Sequence, residues 1–310
     1  MHLLIDTDTA GDDVTSLLFA LQWPGVSLEA VTVVAGNVPL ELGVANALYT
    51  VEVANRTDVP VHAGAGAPLL RPLVTAQYVH GADGMGDSNF PAARKQPEGP
   101  HAVDAILEMS LSFPGELEII AQGPLTNLAL AVMQDRSLPG RVKRLWIMGG
   151  ANNSLGNITP AAEYNFFVDP EAAHAVIHAG FATTIVPWDV CLLDGVLLRE
   201  ELQPVFDMKT ELSEFYLAVN RGAWDFMRAH PKGPGIDGIG HPDALTAAAA
   251  MDQTVILEKG AYFVDVEYAS ELTRGYSSID LSRATDQPPN AEIVLRADKR
   301  RFTDMLFQVL

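Results

Sequence analysis

Short apolar runs alternate with stretches of helical periodicity through the first two thirds of the chain. The apolar runs predict buried strands at residues 3–5, 28–34, 117–121, 144–148 and 183–186. Apolar residues at helical spacing predict helices at residues 12–23, 40–54, 125–132 and 170–179. This alternation predicts an α/β fold, a Rossmann-like open and mostly parallel sheet with helices on both faces.

The last third of the chain has a different pattern. Helical periodicity dominates after residue 198, including residues 212–228, and apolar runs follow near residues 261–266 and 292–295 before a last helix from Asp298. Neither a composition shift nor a Pro-rich or Ser/Gly-rich tract marks a boundary. We therefore expect one domain, residues 1–310, with an additional helical and strand region at its C-terminal end.

Polar residues and glycines follow several of the predicted strands. Asp6 and Asp8 end the first strand, and Asn37, Gln122 and Met148 lie at the ends of later strands. Ligands of open α/β sheets bind at the carboxyl ends of the strands, so we expect the site there. The Gly- and Pro-rich residues 64–100 lack strong strand or helix signals and form a candidate lid over it.

The composition limits which kinds of partner and which cellular compartment we expect. The net charge of -19 disfavours nucleic-acid backbones as partners, since phosphate binding needs clustered Lys and Arg. The single cysteine, Cys191, fits a reducing compartment. The sequence shows neither a signal-peptide pattern nor an apolar run long enough to span a membrane, so we expect a cytoplasmic protein that does not associate with membranes.

Four carboxylates lie within eight residues at the start of the chain. Asp6 and Asp8 end a strand and should project to one side, whereas Asp12 and Asp13 open a helix whose dipole favours negative charge. Crowded acids raise one another's pKa unless a cation neutralises them. Oxygen ligands alone suit Ca²⁺ or Mg²⁺, so the cluster predicts a site for a hard divalent metal.

Several motifs resemble the inosine-uridine-preferring nucleoside hydrolase family over about residues 3–252. They appear in the family's order: DTDTAGDD at residues 6–13, AGN at 35–37, GPLTN at 123–127, GNITPAAEYNFFVDPEAA at 156–173 and HPDALT at 241–246. The resemblance implies a calcium-dependent enzyme that hydrolyses the N-glycosidic bond of small-molecule ribonucleosides to ribose and free nucleobase. It also implies a homodimer or homotetramer.

The resemblance assigns the metal ligands and the general base. Asp8 would be both a calcium ligand and the base that deprotonates the metal-bound water. Asp13 would be a bidentate ligand, and the backbone carbonyl of Gln122 and the carboxylate of Asp243 would complete the protein ligands. Asp6 would support the loop without touching the substrate.

The same resemblance assigns contacts to the sugar. Asp12 would act in catalysis through a ribose hydroxyl. Asn157, Glu163 and Asn165 would hold the ribose hydroxyls, with Asn37 close by.

The resemblance also implies contacts nearer the nucleobase. His80 matches a residue of the family that contacts the base, and Trp188 and Trp224 are candidates for stacking on it. Met148 and Asp243 are further expected substrate contacts.

Two positions depart from the family pattern. Thr9 and Ala10 replace a common Pro-Gly pair, which should leave the carboxylates in place. Many relatives have a histidine, the acid for the departing base, directly before the last aspartate, where this chain has Pro242. His241, one residue earlier, is then the candidate acid. A purine-preferring branch has an aromatic residue there, so the preferred nucleobase stays open.

Two other functions stay open on the sequence alone. A haloacid-dehalogenase-type, Mg²⁺-dependent phosphatase also begins with a strand followed by Asp-x-Asp, and it would use Asp6 as nucleophile and Asp8 as acid. A calcium- or ribose-binding protein without turnover is the non-enzymatic alternative.

Overall fold

The computed structural model describes residues 1–153 and 155–310. Twelve strands are found in this part of the chain: β1 (His2–Thr7), β2 (Ser27–Val33), β3 (Val61–Ala63), β4 (Leu117–Ala121), β5 (Arg144–Met148), β6 (Thr183–Val186), β7 (Val196–Leu198), β8 (Gly238–Gly240), β9 (Ile256–Tyr262), β10 (Val264–Val266), β11 (Ser277–Ile279) and β12 (Ala291–Ala297). Eight of them form one sheet in the order β3-β2-β1-β4-β5-β6-β12-β9.

This large sheet is parallel except at one edge. Strands β1 to β6 and β12 run parallel, and β9 pairs antiparallel with β12. The fold class predicted from the apolar runs is therefore confirmed, with an antiparallel edge added by the C-terminal region. Chain order reverses between β1 and β4, and this switch point is where open α/β sheets bind ligands.

Thirteen α-helices surround the sheets in the described residues. They are α1 (Gly11–Gln22), α2 (Leu40–Val53), α3 (Gln77–His80), α4 (Ala102–Ser112), α5 (Thr126–Gln134), α6 (Tyr164–Val168), α7 (Pro170–Ile177), α8 (Trp188–Asp194), α9 (Gln203–Met208), α10 (Glu211–Val219), α11 (Arg221–Ala229), α12 (Pro242–Met251) and α13 (Lys299–Val309). Short 3-10 turns lie at Leu138–Gly140 and Gln253–Val255. None of the described helices is long and apolar enough to cross a membrane.

Buried side chains of β1 alternate between two core layers. Leu3 and Ile5 pack in the layer that contains α1, α2, α12 and α13, and Leu4 packs in the layer that contains α4, α5 and α7. A strand buried on both faces needs apolar residues at every position, which explains the continuous run Leu3-Leu4-Ile5. The sheet is thus covered by helices on both faces, as the sequence predicts.

The helix expected over residues 212–228 is two helices in the structure. Chain direction changes at Asn220, whose side-chain amide donates to the carbonyl of Tyr216 (2.9 Å) and to Thr15 Oγ1 on α1 (3.0 Å). The break lets α11 pack on α3, and Gly222 makes the approach possible because a Cβ there would lie 2.9 Å from the carbonyl carbon of His80. The candidate lid, residues 64–100, is irregular apart from α3.

Candidate active site

Four acids from two helices and one strand end meet at the switch point of the sheet. Asp8 follows β1, Asp12 and Asp13 lie in the first turn of α1, and Asp243 lies in the first turn of α12. All four are buried, with at most 6% of their surface exposed. These residues are called the aspartate cluster below.

Asp6 lies behind the cluster rather than in it. Its Oδ1 accepts hydrogen bonds from Thr32 Oγ1 (2.6 Å) and Asn127 Nδ2 (2.8 Å). Asn127 Oδ1 in turn accepts from the backbone N–H of Ala65, at the start of the candidate lid (2.8 Å). Asp6 therefore ties β1 to β2 and to the beginning of this segment.

Asp13 is held by several hydrogen bonds. Thr7 Oγ1 donates to Asp13 Oδ1 (2.7 Å), and the backbone N–H of Ala10 and the amide of Asn37 donate to Oδ2 (3.1 and 3.2 Å). The side-chain amide of Gln122 also donates to Asp13 Oδ1 (3.3 Å). These donors fix the carboxylate and favour its ionised form.

Asp8 and Asp12 each keep one carboxylate oxygen free. The backbone N–H of Asn37 donates to Asp8 Oδ2 (2.6 Å), and those of Asp243 and Ala244 donate to Asp12 Oδ2 (2.6 and 3.2 Å). The two Oδ1 atoms are buried and have no hydrogen-bond partner among the residues the structure describes. Buried carboxylate oxygens without partners are costly unless a cation pairs with them.

The side chain of Asp8 occupies space that is free only because residues 36 and 123 are glycines. A Cβ at Gly36 would overlap Asp8 Oδ2, and a Cβ at Gly123 would lie 3.0 Å from Asp8 Oδ1. Gly36 directly precedes Asn37, whose backbone donates to Asp8. The absence of side chains here is part of the geometry of the site.

Burial raises the pKa of every member of the aspartate cluster, and repulsion between neighbouring carboxylates adds to the effect at Asp8, Asp12 and Asp243. A bound cation would offset both effects. The donor set consists of carboxylates, with Gln122 next to them through its hydrogen bond to Asp13 (3.3 Å), and oxygen ligands of this kind suit a hard divalent cation such as Ca²⁺. The residues present therefore fit such an ion.

A cavity opens beside the cluster, and its polar lining comes mainly from strand ends and the loops that follow them. Among the residues that line it are Asp12, Asn37, Gln122, Met148, Asn157, Glu163, Asn165 and Asp243. Asp8 and Asp13 are fully buried next to these residues. The structure thus brings together the residues that the resemblance assigns to metal and ribose, with His241 the exception among the proposed catalytic residues.

Glu163 and Asn165 are positioned by the start of α6. Glu163 caps this helix, accepting from the backbone N–H of Asn165 (2.8 Å), Phe166 (3.2 Å) and Gly150 (2.9 Å), and burial raises its pKa to about 7. The side-chain amide of Asn165 donates to the backbone carbonyls of Gln122 (3.2 Å) and Met148. The loop after β5 and helix α6 are thereby fixed to the ends of β4 and β5.

Three helices far apart in the sequence supply the apolar and aromatic lining. It includes Tyr78, Val79 and His80 of α3, Trp188 and Leu192 of α8, and Phe226 and Met227 of α11. Sequence reasoning missed Tyr78, Phe226 and Met227, because only tertiary packing brings α3 and α11 together. His80 Nδ1 is buried without a described partner, and burial lowers its pKa to about 4.

Trp224, the second tryptophan considered for stacking, does not line this cavity. Its Nε1 donates to Asp237 Oδ1 (2.8 Å), and its ring packs against Phe206. Trp188 is therefore the tryptophan positioned to contact a ligand.

His241 points into the protein core. Its Nε2 lies 2.6 Å from Tyr216 Oη and its Nδ1 lies 3.0 Å from the carbonyl of Gly195, so both ring nitrogens are engaged. The residue is fully buried, and it does not line the cavity although Pro242 does. This placement corrects the expectation that His241 faces the departing nucleobase. The physical reason is the fixed backbone of Pro242, which opens α12 and leaves His241 on the other side.

A family model described as inosine-uridine preferring nucleoside hydrolase matches residues 3–304. The chain belongs to this family. It is therefore a ribonucleoside hydrolase, and the family match decides against both the phosphatase and a binding protein without turnover. Enzymes of the family depend on a metal, in agreement with the aspartate cluster.

Individual relatives extend over nearly the whole chain. A pyrimidine-specific ribonucleoside hydrolase of Shewanella sp. (strain ANA-3) is 33% identical over 99% of this chain and 95% of its own length. An uncharacterised protein of Schizosaccharomyces pombe is 35% identical over 100% of this chain and 99% of its own. The Shewanella relative is named as pyrimidine-specific, whereas one of the solved structures is named as purine-preferring, so the named relatives differ in nucleobase.

Solved structures of nucleoside hydrolases share the fold. A purine-preferring ribonucleoside hydrolase from Gardnerella vaginalis superimposes with a TM-score of 0.92 at 26% identity, covering 100% of this chain and 98% of the other. A plant nucleoside hydrolase gives a TM-score of 0.92 at 29% identity, covering 99% and 98%. The nucleoside hydrolase thus has the single-domain architecture of these enzymes.

Proposed function

We propose that this nucleoside hydrolase uses Ca²⁺ and that Asp8 is its general base. The observation that carries the proposal is the pair of buried oxygens, Asp8 Oδ1 and Asp12 Oδ1, that lack partners in the described structure beside the cavity. Ca²⁺ would be held by Asp8, Asp13, Asp243 and the backbone carbonyl of Gln122. Oxygen-only ligation at irregular angles is the preference of this ion.

Asp8 would activate the attacking water as general base. When bound, calcium would supply positive charge that favours loss of a proton from water and attracts the ribose hydroxyls. Asp8 accepts that proton at Oδ1, while its Oδ2 stays hydrogen-bonded to the backbone N–H of Asn37. This anchoring keeps the base in one orientation and reduces the entropy lost on reaching the transition state.

The polar lining would hold the sugar. Asp12 would present its free Oδ1 to a ribose hydroxyl, and Asn37, Asn157, Glu163 and Asn165 line the same cavity. Cleavage of the N-glycosidic bond builds positive charge on the ribose ring. Carboxylates and amide oxygens fixed around the ring favour that charge more in the transition state than in the substrate.

The apolar lining would enclose the nucleobase. Trp188 supports stacking, and His80, which is neutral at pH 7 because burial lowers its pKa to about 4, can offer a hydrogen bond to the base. Met148 also lines the cavity, and its backbone carbonyl accepts from the side-chain amide of Asn165 (3.1 Å). Because His241 is directed into the core, no acid role for it is included in the proposal.

We also propose that the enzyme acts in the cytoplasm as a homo-oligomer. The chain has one cysteine, Cys191, and therefore no intramolecular disulfide, which fits the reducing cytoplasm, and the family resemblance supports a homodimer or homotetramer. Light scattering of the purified enzyme measures the assembly directly, and a monomer at assay concentrations contradicts this part.

An Asp8→Asn variant tests the mechanism. Asparagine keeps an oxygen for the N–H of Asn37 but cannot accept the proton, so we expect kcat to fall by about 10²–10⁴. Release of free ribose from inosine and uridine is measured with Ca²⁺ and with a chelator. Asp6→Asn is the matched control, since it removes a carboxylate from the same segment outside the cluster and should retain most activity.

Two outcomes contradict the proposal. Turnover of Asp8→Asn close to that of the parent enzyme excludes Asp8 as base. Undiminished hydrolysis by the parent enzyme after chelation excludes the metal from the reaction.

A further inference from the structure

A second group of metal-ligating side chains lies away from the aspartate cluster, between α7 and β10. His174 and His178 are one helical turn apart at the C-terminal end of α7, and Asp265 lies in β10. His174 Nδ1 and His178 Nε2 approach the same atom, Asp265 Oδ1, at 2.7 and 3.1 Å. The three ligand atoms lie within 4.8 Å of one another.

The spacing of these atoms is close to that of a metal coordination shell. Zn²⁺ with bonds of about 2.0–2.1 Å and tetrahedral angles separates neighbouring ligand atoms by about 3.3 Å. The observed distances of 2.7 and 3.1 Å are within about 0.6 Å of that value. The helical spacing of four residues places both rings on one face without backbone movement.

The surroundings hold the three side chains in place. The backbone N–H of Val266 donates to Asp265 Oδ1 (2.8 Å), and the ring of Tyr268 lies 4.7 Å from that of His174. Between about a third and a half of each ligand side chain is exposed. Solvent can therefore reach the group and fill a remaining coordination position.

We propose that His174, His178 and Asp265 form a second metal site for a borderline divalent ion, Zn²⁺, which fastens α7 to the β10–β11 hairpin. Two imidazoles and one carboxylate suit Zn²⁺, whereas Ca²⁺ takes oxygen ligands only. The enzyme thus has two sites of different chemistry, one of oxygens and one dominated by nitrogens. The site is structural, since none of its three residues lines the cavity.

Zinc binding to matched variants tests the inference. Zn²⁺ is titrated into the parent enzyme, His178→Gln and Asp265→Asn in competition with a chromophoric chelator. We expect each variant to bind the ion more weakly than the parent by more than about tenfold. Zinc binding elsewhere in the chain should be equal in the parent and the variants, so it does not change the difference in affinity between them.

His2→Gln is the matched control. His2 also contacts a carboxylate, Glu29 Oε1 at 2.8 Å, and has similar exposure, but it lacks a second imidazole. This variant should bind zinc as the parent does. Equal zinc affinity in the parent, His178→Gln and Asp265→Asn overturns the proposal, and so does an equal loss of affinity in His2→Gln.

Thermal denaturation gives an independent readout. An ion that binds only the folded state raises Tm, so Zn²⁺ should raise the Tm of the parent enzyme by a few degrees more than that of His178→Gln. Both proteins should hydrolyse nucleosides at similar rates without zinc, because the site is separate from the cavity. A zinc-induced rise in Tm that is the same in both proteins overturns the proposed clamp.

Discussion

Asp6 offers a quantitative test of the electrostatics at the end of β1. Burial raises its pKa to about 7, against two opposing hydrogen bonds from Asn127 and Thr32. Its Oδ2 is buried and has no partner in the described structure. Asp6→Asn keeps the Oδ1 acceptor and removes the ionisable group.

The size of the effect follows from the two pKa values. The unfolded chain releases this proton near the ordinary value of 3.8 and the folded protein near 7. Below pH 3.8 both states hold the proton, so the associated stability is fully present there and is lost as the pH rises toward 7. Between pH 5 and 7.5, Asp6 should lower the free energy of unfolding by about 2.5 kcal/mol.

Urea denaturation in the presence of a chelator measures this loss, because a bound cation nearby would itself lower the pKa of Asp6. Between pH 5 and 7.5, the free energy of unfolding of the parent should fall by about 2.5 kcal/mol more than that of Asp6→Asn. Thr32→Val removes a hydrogen bond that favours the ionised form, so it should steepen the fall. Parallel pH dependences in the parent and Asp6→Asn refute the reasoning.

Three further predictions concern the cavity and the buried His241 next to Pro242. His241→Gln should lower the free energy of unfolding by about 1–3 kcal/mol, because Tyr216 loses its partner, yet leave kcat/KM within a few-fold; a large loss of kcat restores an acid role for His241. His80→Gln should reduce kcat/KM about tenfold without removing a step from the pH–rate profile between pH 5 and 8, since burial holds the pKa of His80 near 4; disappearance of such a step contradicts this. Replacing uridine by 2′-deoxyuridine should lower kcat/KM at least about 100-fold, because Asp12 would lose its hydroxyl partner; similar rates for the two substrates contradict the ribose contacts.

The central strands were predictable because parallel strands buried on two faces require continuous apolar runs. Residues 3–5, 117–121 and 144–148 all belong to such strands in the structure. Helix α4 was missed, since only Val103 and Ile106 among its five buried residues are large and apolar, and the other three are alanine and serine. Strand β3 was missed because three residues carry too little pattern.

The candidate site likewise has a part that was predictable from the sequence and a part that was not. The acids at residues 6–13 are neighbours in sequence, so their crowding is visible without a structure. Asp243 lies 230 positions beyond Asp13 and could be assigned only through the family resemblance. The orientation of His241 combines the constraint of Pro242, which is visible in the sequence, with the hydrogen bond to Tyr216, which only the tertiary structure reveals.

The space left at Gly36 and Gly123 has a consequence for how sequence variation in this enzyme should be interpreted. In a saturation mutagenesis experiment these two positions should be as intolerant as the aspartates themselves, although neither contributes an atom to bond cleavage. A ranking of residues by reactive groups would overlook them. The residues that the enzyme requires for function therefore include two positions where any side chain would be excluded by Asp8.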